Sequence, residues 1–185
     1  MDYNQKTYPI EISGVKRDLR LCEVKPGLKI AILNILGDTE LVLACAKALS
    51  QKMDSNRYDV LITAETKSIP LAHQLSLETK KPYVVLRKQY KVYMGDAIQA
   101  ETLSITTGKP QLLLLDEKDR PFIKEKRVAI IDDVISTGST LAGMRSIVEK
   151  AGGKVTLEAA IFTEGDASAW KDIIALGNLP VFTKE

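Results

Sequence analysis

Short continuous apolar runs alternate with stretches of helical period along most of the chain. Residues 17–24 and 28–35 are strand-like runs on either side of Lys25-Pro26-Gly27, a turn signal, and together predict a hairpin. Asp38 or Thr39 caps a predicted helix that runs to about Met53. Residues 58–63 (YDVLIT) predict a short buried strand, 69–79 an apolar-periodic segment with Pro70 in its first turn, and 82–86 the next strand. A region of little periodicity follows, from Arg87 to about Ala100. The apolar run 128–131 leads into a turn rich in glycine and hydroxyls, then into a helix from about Thr140 to Ala151 that Gly152-Gly153 stops; 155–162 is a further strand. Strands of continuous apolar residues separated by single helices predict an α/β fold with a parallel sheet covered on both faces. Ligands of such sheets bind beyond the carboxyl ends of the strands.

Composition narrows this to one globular domain: 185 residues, 45% hydrophobic, with no repeat, low-complexity segment or linker. The longest apolar runs, 112–115 and 128–131, fall far short of the roughly 20 residues of a membrane span, and the first residues lack a secretory signal, so the expectation is a cytoplasmic protein without a membrane partner. Cys22 and Cys45 have no metal-ligand spacing and there is one histidine, which excludes structural zinc; both cysteines read as reduced, buried small hydrophobes. Net charge is +2, and the cations are scattered apart from Lys80-Lys81 and the stretches 87–91 and 124–127, so no nucleic-acid surface is expected.

Candidate chemistry concentrates in residues 128–140, VAIIDDVISTGST. Past the strand, Ser136, Thr137, Gly138, Ser139 and Thr140 lead straight into a helix. Backbone N–H groups at a helix start, with a glycine permitting close approach and hydroxyls around it, can hold a phosphate without a fixed cation. Asp132 and Asp133 need a separate explanation, because two anions at the mouth of a phosphate site oppose binding. Carboxylates accept hydrogen bonds from sugar hydroxyls, so the pair suits a ribose 5-phosphate. The alternative is a plain strand-turn-helix with Asp133 and Ser139 as caps. No Gly-x-x-x-x-Gly-Lys-Ser/Thr or Gly-x-Gly-x-x-Gly motif occurs.

The run IIDDVISTGST resembles the motif by which type I phosphoribosyltransferases bind 5-phosphoribosyl-1-pyrophosphate (PRPP). That resemblance implies a parallel-sheet core, about residues 38–185, under a small N-terminal hood, about 1–37, with a flexible lid at about 89–107. It assigns the ribose-phosphate to Asp132, Asp133, Ser136, Thr137, Gly138, Ser139 and Thr140, with the two aspartates also catalytic. Thr63-Ala64-Glu65-Thr66-Lys67-Ser68 stands where the family has its pyrophosphate loop, so Thr66 and Lys67 are candidate pyrophosphate ligands. Arg87-Lys88-Gln89-Tyr90-Lys91 resembles the Arg-Lys-x-x-Lys segment of adenine and archaeal hypoxanthine enzymes, adding Arg87, Lys88 and Lys91 and opening a lid that keeps water from the reacting ribose carbon. Ser13 to Leu19 resembles the base-binding hood of adenine enzymes, which makes Val15, Arg17 and Val134 candidate base contacts. His73 and Trp170 read as packing residues.

One departure bears on substrate. Adenine enzymes carry a glutamate in a Ser-Leu-Glu-Tyr-Gly hairpin; here the aligned stretch is Ser104-Ile105-Thr106-Thr107-Gly108, and Thr106 cannot serve as a general acid. Glu101 is the nearest substitute. Lys67 and the following Ile69-Pro70 are shared with archaeal hypoxanthine enzymes and purine-operon repressors, which tilts the reading to a 6-oxopurine with adenine left open. The implied activity is phosphoribosyl transfer from PRPP to a purine base in salvage, releasing pyrophosphate. The implied cofactor is Mg2+, gripped by substrate oxygens and water with no direct protein ligand, and the implied assembly a homodimer. The alternative is a PRPP-sensing regulator without catalysis; such repressors add a DNA-binding domain, and the residues before Tyr58 show no basic recognition face.

Overall fold

A computed structural model describes residue 4 and residues 6–103 and 110–184. Its core is a five-stranded, wholly parallel sheet in the order β10-β9-β8-β4-β5, with β4 at Val60–Ala64, β5 at Tyr83–Leu86, β8 at Arg127–Ile135, β9 at Lys154–Glu164 and β10 at Ile174–Leu179. Strand β4 is buried at every residue, as expected of a strand covered on both faces. Helices α1 (Thr39–Lys52) and α2 (Ile69–Thr79) cover one face, through Leu41, Cys45, Leu49, Leu71 and Leu75. Helix α4 (Ser139–Lys150) and the short α3 (Arg120–Ile123) cover the other, through Leu141, Met144, Ile147 and Ile123. No described helix is long and apolar enough to cross a membrane.

Connection order decides where the site lies. From β4 the chain runs through α2 to β5 on one side; from β8 it runs through α4 to β9 on the other. Neighbouring β4 and β8 therefore form the switch point of the sheet, where two loops diverge and leave a crevice between them.

A second sheet forms the hood. Strands β1 (Thr7–Ile12), β2 (Val15–Lys25) and β3 (Leu28–Ile32) pair antiparallel, and β11 (Val181–Thr183), from the far end of the chain, adds to β3. The hood is thus wider than an N-terminal segment: β10 hands the chain back across to it. Arg17 ties it to the core by donating to Asp38 Oδ2 at 2.7 Å and to Glu40 Oε2 at 2.8 Å. Asp38 also caps α1 through Leu41 N at 3.2 Å. Between β5 and α3, β6 (Ile98–Leu103), which falls within the span expected to be lid, pairs antiparallel with β7 (Pro110–Leu115) beyond that span. Thr106 lies outside the described residues, and Glu101 is exposed on β6.

Candidate active site

At the end of β8 the chain passes through Gly138, whose φ of +75° only glycine adopts cheaply, into α4. Gly138 occupies the cap position and brings no side chain to it, so the first-turn amide groups of the helix, which have no helical partners, face the loop's interior. A hollow of about 40 Å³ lies inside this loop, lined by residues 134–141 and Asp132. The five predicted phosphate-loop residues are thus brought together around one small concavity.

Asp132 and Asp133 meet the β4 loop through Ser68. The Ser68 hydroxyl lies 2.8 Å from Asp132 Oδ1 and 3.0 Å from Asp133 Oδ1, sharing one proton between them, and accepts from Asp133 N at 2.9 Å. Ser68 is the cap residue of α2 yet makes no cap bond; its side chain is turned to the acids instead. Burial first, and the Asp133 charge second, push the Asp132 carboxyl well above the ordinary carboxylate range. Asp133 Oδ2 is buried without a hydrogen-bond partner, with Lys67 Nζ at 3.8 Å. A buried carboxylate oxygen without a hydrogen bond beside a helix-start loop can accept hydroxyl protons from a sugar.

Residues 32–174 match the family model described as the phosphoribosyl transferase domain. The chain belongs to the phosphoribosyl transferase family. It is 31% identical over 131 residues to the hypoxanthine/guanine phosphoribosyltransferase of Methanococcus voltae, covering 71% of this chain and 66% of that one. The chain thus spans just under two thirds of that relative's length. Over 132 residues it is 27% identical to the purine biosynthesis transcriptional repressor of Bacillus subtilis, covering 71% of this chain and 46% of the repressor. Its fold is similar to that of adenine phosphoribosyltransferase from Thermoanaerobacter pseudethanolicus, with a TM-score of 0.70, 20% identity and coverage of 86% and 95% of the two chains.

In this phosphoribosyl transferase fold the predicted pyrophosphate residues divide. Lys67 and Lys88 line a cavity of about 590 Å³ together with Ser136, Thr137, Ser139 and Thr140. Thr66 is exposed after a cis Glu65–Thr66 peptide. Arg87 is turned to Glu65, donating from Nε to Oε2 at 2.6 Å, while Lys88 N donates to Oε1 at 2.6 Å. Glu65 therefore braces the two loops rather than capping α2. Lys91 is exposed at the start of a 3-10 turn and is not part of the cavity wall.

The hood residues differ from expectation. Val15 is buried against α1, and Arg17 is held by Asp38 and Glu40; neither lines the cavity. Along β2 and β3 the residues Val15, Leu19, Leu21 and Ala31 share the face turned to α1. The other face carries Ile30, its partner Val181 and, past a bulge in β2, Val24, and these with Leu28 form the cavity's apolar wall. Val134 is half-buried beneath the phosphate loop. Trp170, read from sequence as a packing residue, also lines the cavity, and a Cβ at Gly138 would stand 3.0 Å from its Cη2. Ser68 was not legible as a site residue, although a serine beside a loop lysine and ahead of Ile69-Pro70 is the one signal that pointed to that place.

Proposed function

We propose that the protein transfers the phosphoribosyl group of PRPP to a 6-oxopurine, hypoxanthine or guanine, releasing pyrophosphate and forming a nucleoside monophosphate for purine salvage. The observation that carries this reading is the buried Asp133 Oδ2, which faces Lys67 at 3.8 Å but accepts no hydrogen bond, directly ahead of the helix-start loop. A phosphate site alone has no use for it, whereas a ribose 5-phosphate supplies hydroxyls to it and phosphate to the loop. In this reading the Asp132–Asp133 pair orients the ribose and favours positive charge developing at its C1, and Lys67 and Lys88 meet the departing pyrophosphate. The hood, Trp170 and the lid pair exclude water from the reacting centre.

Two adjacent carboxylates beside a polyphosphate suit Mg2+, which keeps water and substrate oxygens as ligands and needs no protein cage; bound there, it supplies charge neutralisation to the leaving group. Exposed Tyr90, Val92 and Tyr93 at the start of the lid segment support a homodimer with its boundary near the lid, which light scattering on the purified chain tests.

The test of activity is pyrophosphate release from PRPP and magnesium with adenine, hypoxanthine, guanine, xanthine or orotate. Turnover is expected with hypoxanthine and guanine; none with any base overturns the transferase. Similarity to the Bacillus subtilis repressor favours one second reading, PRPP sensing without catalysis, for which the outcome is tight PRPP binding with no release.

A further inference from the structure

Beyond the phosphate loop, the cavity wall contains an acid that nothing above employs. Glu164 is the last residue of β9 and lines the cavity with Trp170, Ile30 and Val181. Its backbone is fixed from several sides. The Trp170 indole N–H donates to Glu164 O at 3.3 Å. One residue on, Gly165 N donates to Leu179 O at 2.9 Å, and Asn178 Nδ2 donates to Gly165 O at 3.0 Å. One residue before, the Thr163 hydroxyl donates to Asn178 Oδ1 at 2.8 Å. Asp166 in turn caps the short 3-10 turn that carries Trp170, accepting from Ser168 N at 2.9 Å. Among the described residues the Glu164 carboxylate itself has no hydrogen bond or ion pair, and burial pushes its pKa up. A rigidly mounted acceptor left without a partner, in a cavity that also presents the Trp170 indole and the aliphatic side chains of Leu28, Ile30 and Val181, is arranged to be completed by a ligand.

We propose that Glu164 selects the base, its two carboxylate oxygens accepting from N1–H and the 2-amino group of guanine while the purine ring lies between Trp170 and the hood's apolar wall. The proposal rests on the reading that this cavity takes a purine beside PRPP. Guanine presents two parallel N–H donors on that edge, which a carboxylate meets with two hydrogen bonds. Hypoxanthine presents one. Adenine turns the N1 lone pair, and xanthine the O2 carbonyl, toward the carboxylate, so both are disfavoured. The order of preference is guanine, then hypoxanthine, then adenine and xanthine.

Calorimetric titration of the full chain with GMP and with IMP reads this without requiring turnover. The wild-type protein binds GMP about ten- to a hundredfold more tightly than IMP, the range that one charge-assisted hydrogen bond supplies. Glu164→Gln brings that ratio to within about twofold, with PRPP affinity unchanged. Should that variant fail to fold, Glu164→Asp keeps the charge, shortens its reach and loses the same preference. An unchanged GMP-to-IMP ratio overturns the proposal, as does an equal loss of GMP, IMP and PRPP binding, which would mean that Glu164 acts through the fold. GMP preference without pyrophosphate release from any base sinks the transferase reading alone. Release with a guanine-to-hypoxanthine ratio insensitive to Glu164→Gln sinks base selection alone.

Discussion

Ser68→Ala isolates the join between the two loops. The hydroxyl has one proton to donate to the acid pair, and it accepts from Asp133 N, which keeps Asp132 Oδ1 at 2.9 Å when the hydroxyl is gone. No amide is orphaned, so the loss is one buried hydrogen bond to a charged group, about 2 kcal/mol. For a domain of this size that lowers the melting temperature by about 4–8 °C. The loss depends on pH with a definite sign. Burial and the Asp133 charge raise Asp132 from 3.8 to about 7 in the folded chain, so the fold binds more protons than the unfolded state across that window and loses stability as pH rises through it. The Ser68 hydroxyl holds that shift down. Its removal therefore costs little at about pH 5, where the pair's own proton can bridge the two acids, and the full amount at about pH 8. Calorimetric melting of both proteins at the two pH values measures the difference. An equal deficit at both would refute the reasoning and reduce Ser68 to a packing residue.

Asp133→Asn is expected to cut turnover by a hundredfold or more in the pyrophosphate-release assay while melting within a few degrees of wild type, since it removes a charge that is only partly met by Lys67 at 3.8 Å. Gly138→Ala places a side chain at φ +75° and its Cβ 3.0 Å from the Trp170 ring, so PRPP affinity falls about tenfold; fluorescence titration of Trp170, the chain's one tryptophan, reads it. Glu65→Gln weakens the acceptor that holds Arg87 and the Lys88 amide at 2.6 Å each, raising the KM for PRPP several-fold with a smaller change in kcat, as steady-state kinetics will show.

The sheet core was legible because its strands announce themselves. Residues 60–62, 82–86, 128–131 and 159–162 are apolar without interruption, as expected of strands covered on both faces. The loop into α4 was legible as a concave helix start for a related reason: glycine at a positive φ, hydroxyls and a helix start are all local, so the hollow they build is written contiguously. Ser68 was not, because its role exists only across a sequence separation of 64 and 65 residues, where β4 and β8 lie side by side. Read alone it is a helix cap, and its refusal to cap α2 becomes visible only once the aspartates stand opposite. Arg87 shows the converse. A cation next to Lys88 reads as a phosphate ligand, and only the pairing of β4 with β5 reveals that Glu65, at the end of the neighbouring strand, holds its guanidinium.

Parity explains why Val15 and Arg17 do not line the cavity. Val15 and Arg17 resemble base contacts by their order in the chain, yet in a strand successive side chains face opposite sides, and β2 turns its 15, 17, 19 and 21 positions to α1 and the core. A shift of one residue would exchange the faces. The register of Cys22 opposite Ile30, and of Val181 opposite Ile30 on the other side, instead gives the cavity its wall from β3 and β11. No local pattern reveals that a strand at Val181 closes a sheet begun at Thr7. The proposed base slot is consequently assembled from parts of the chain that sequence order keeps far apart, the hood strands and the turn after β9, while the proposed ribose-phosphate site draws on the two loops of one switch point. In the proposed reading, base preference can then change through Glu164 or the hood's apolar face with little effect on the ribose-phosphate residues, because the two sets stand on different elements of one cavity.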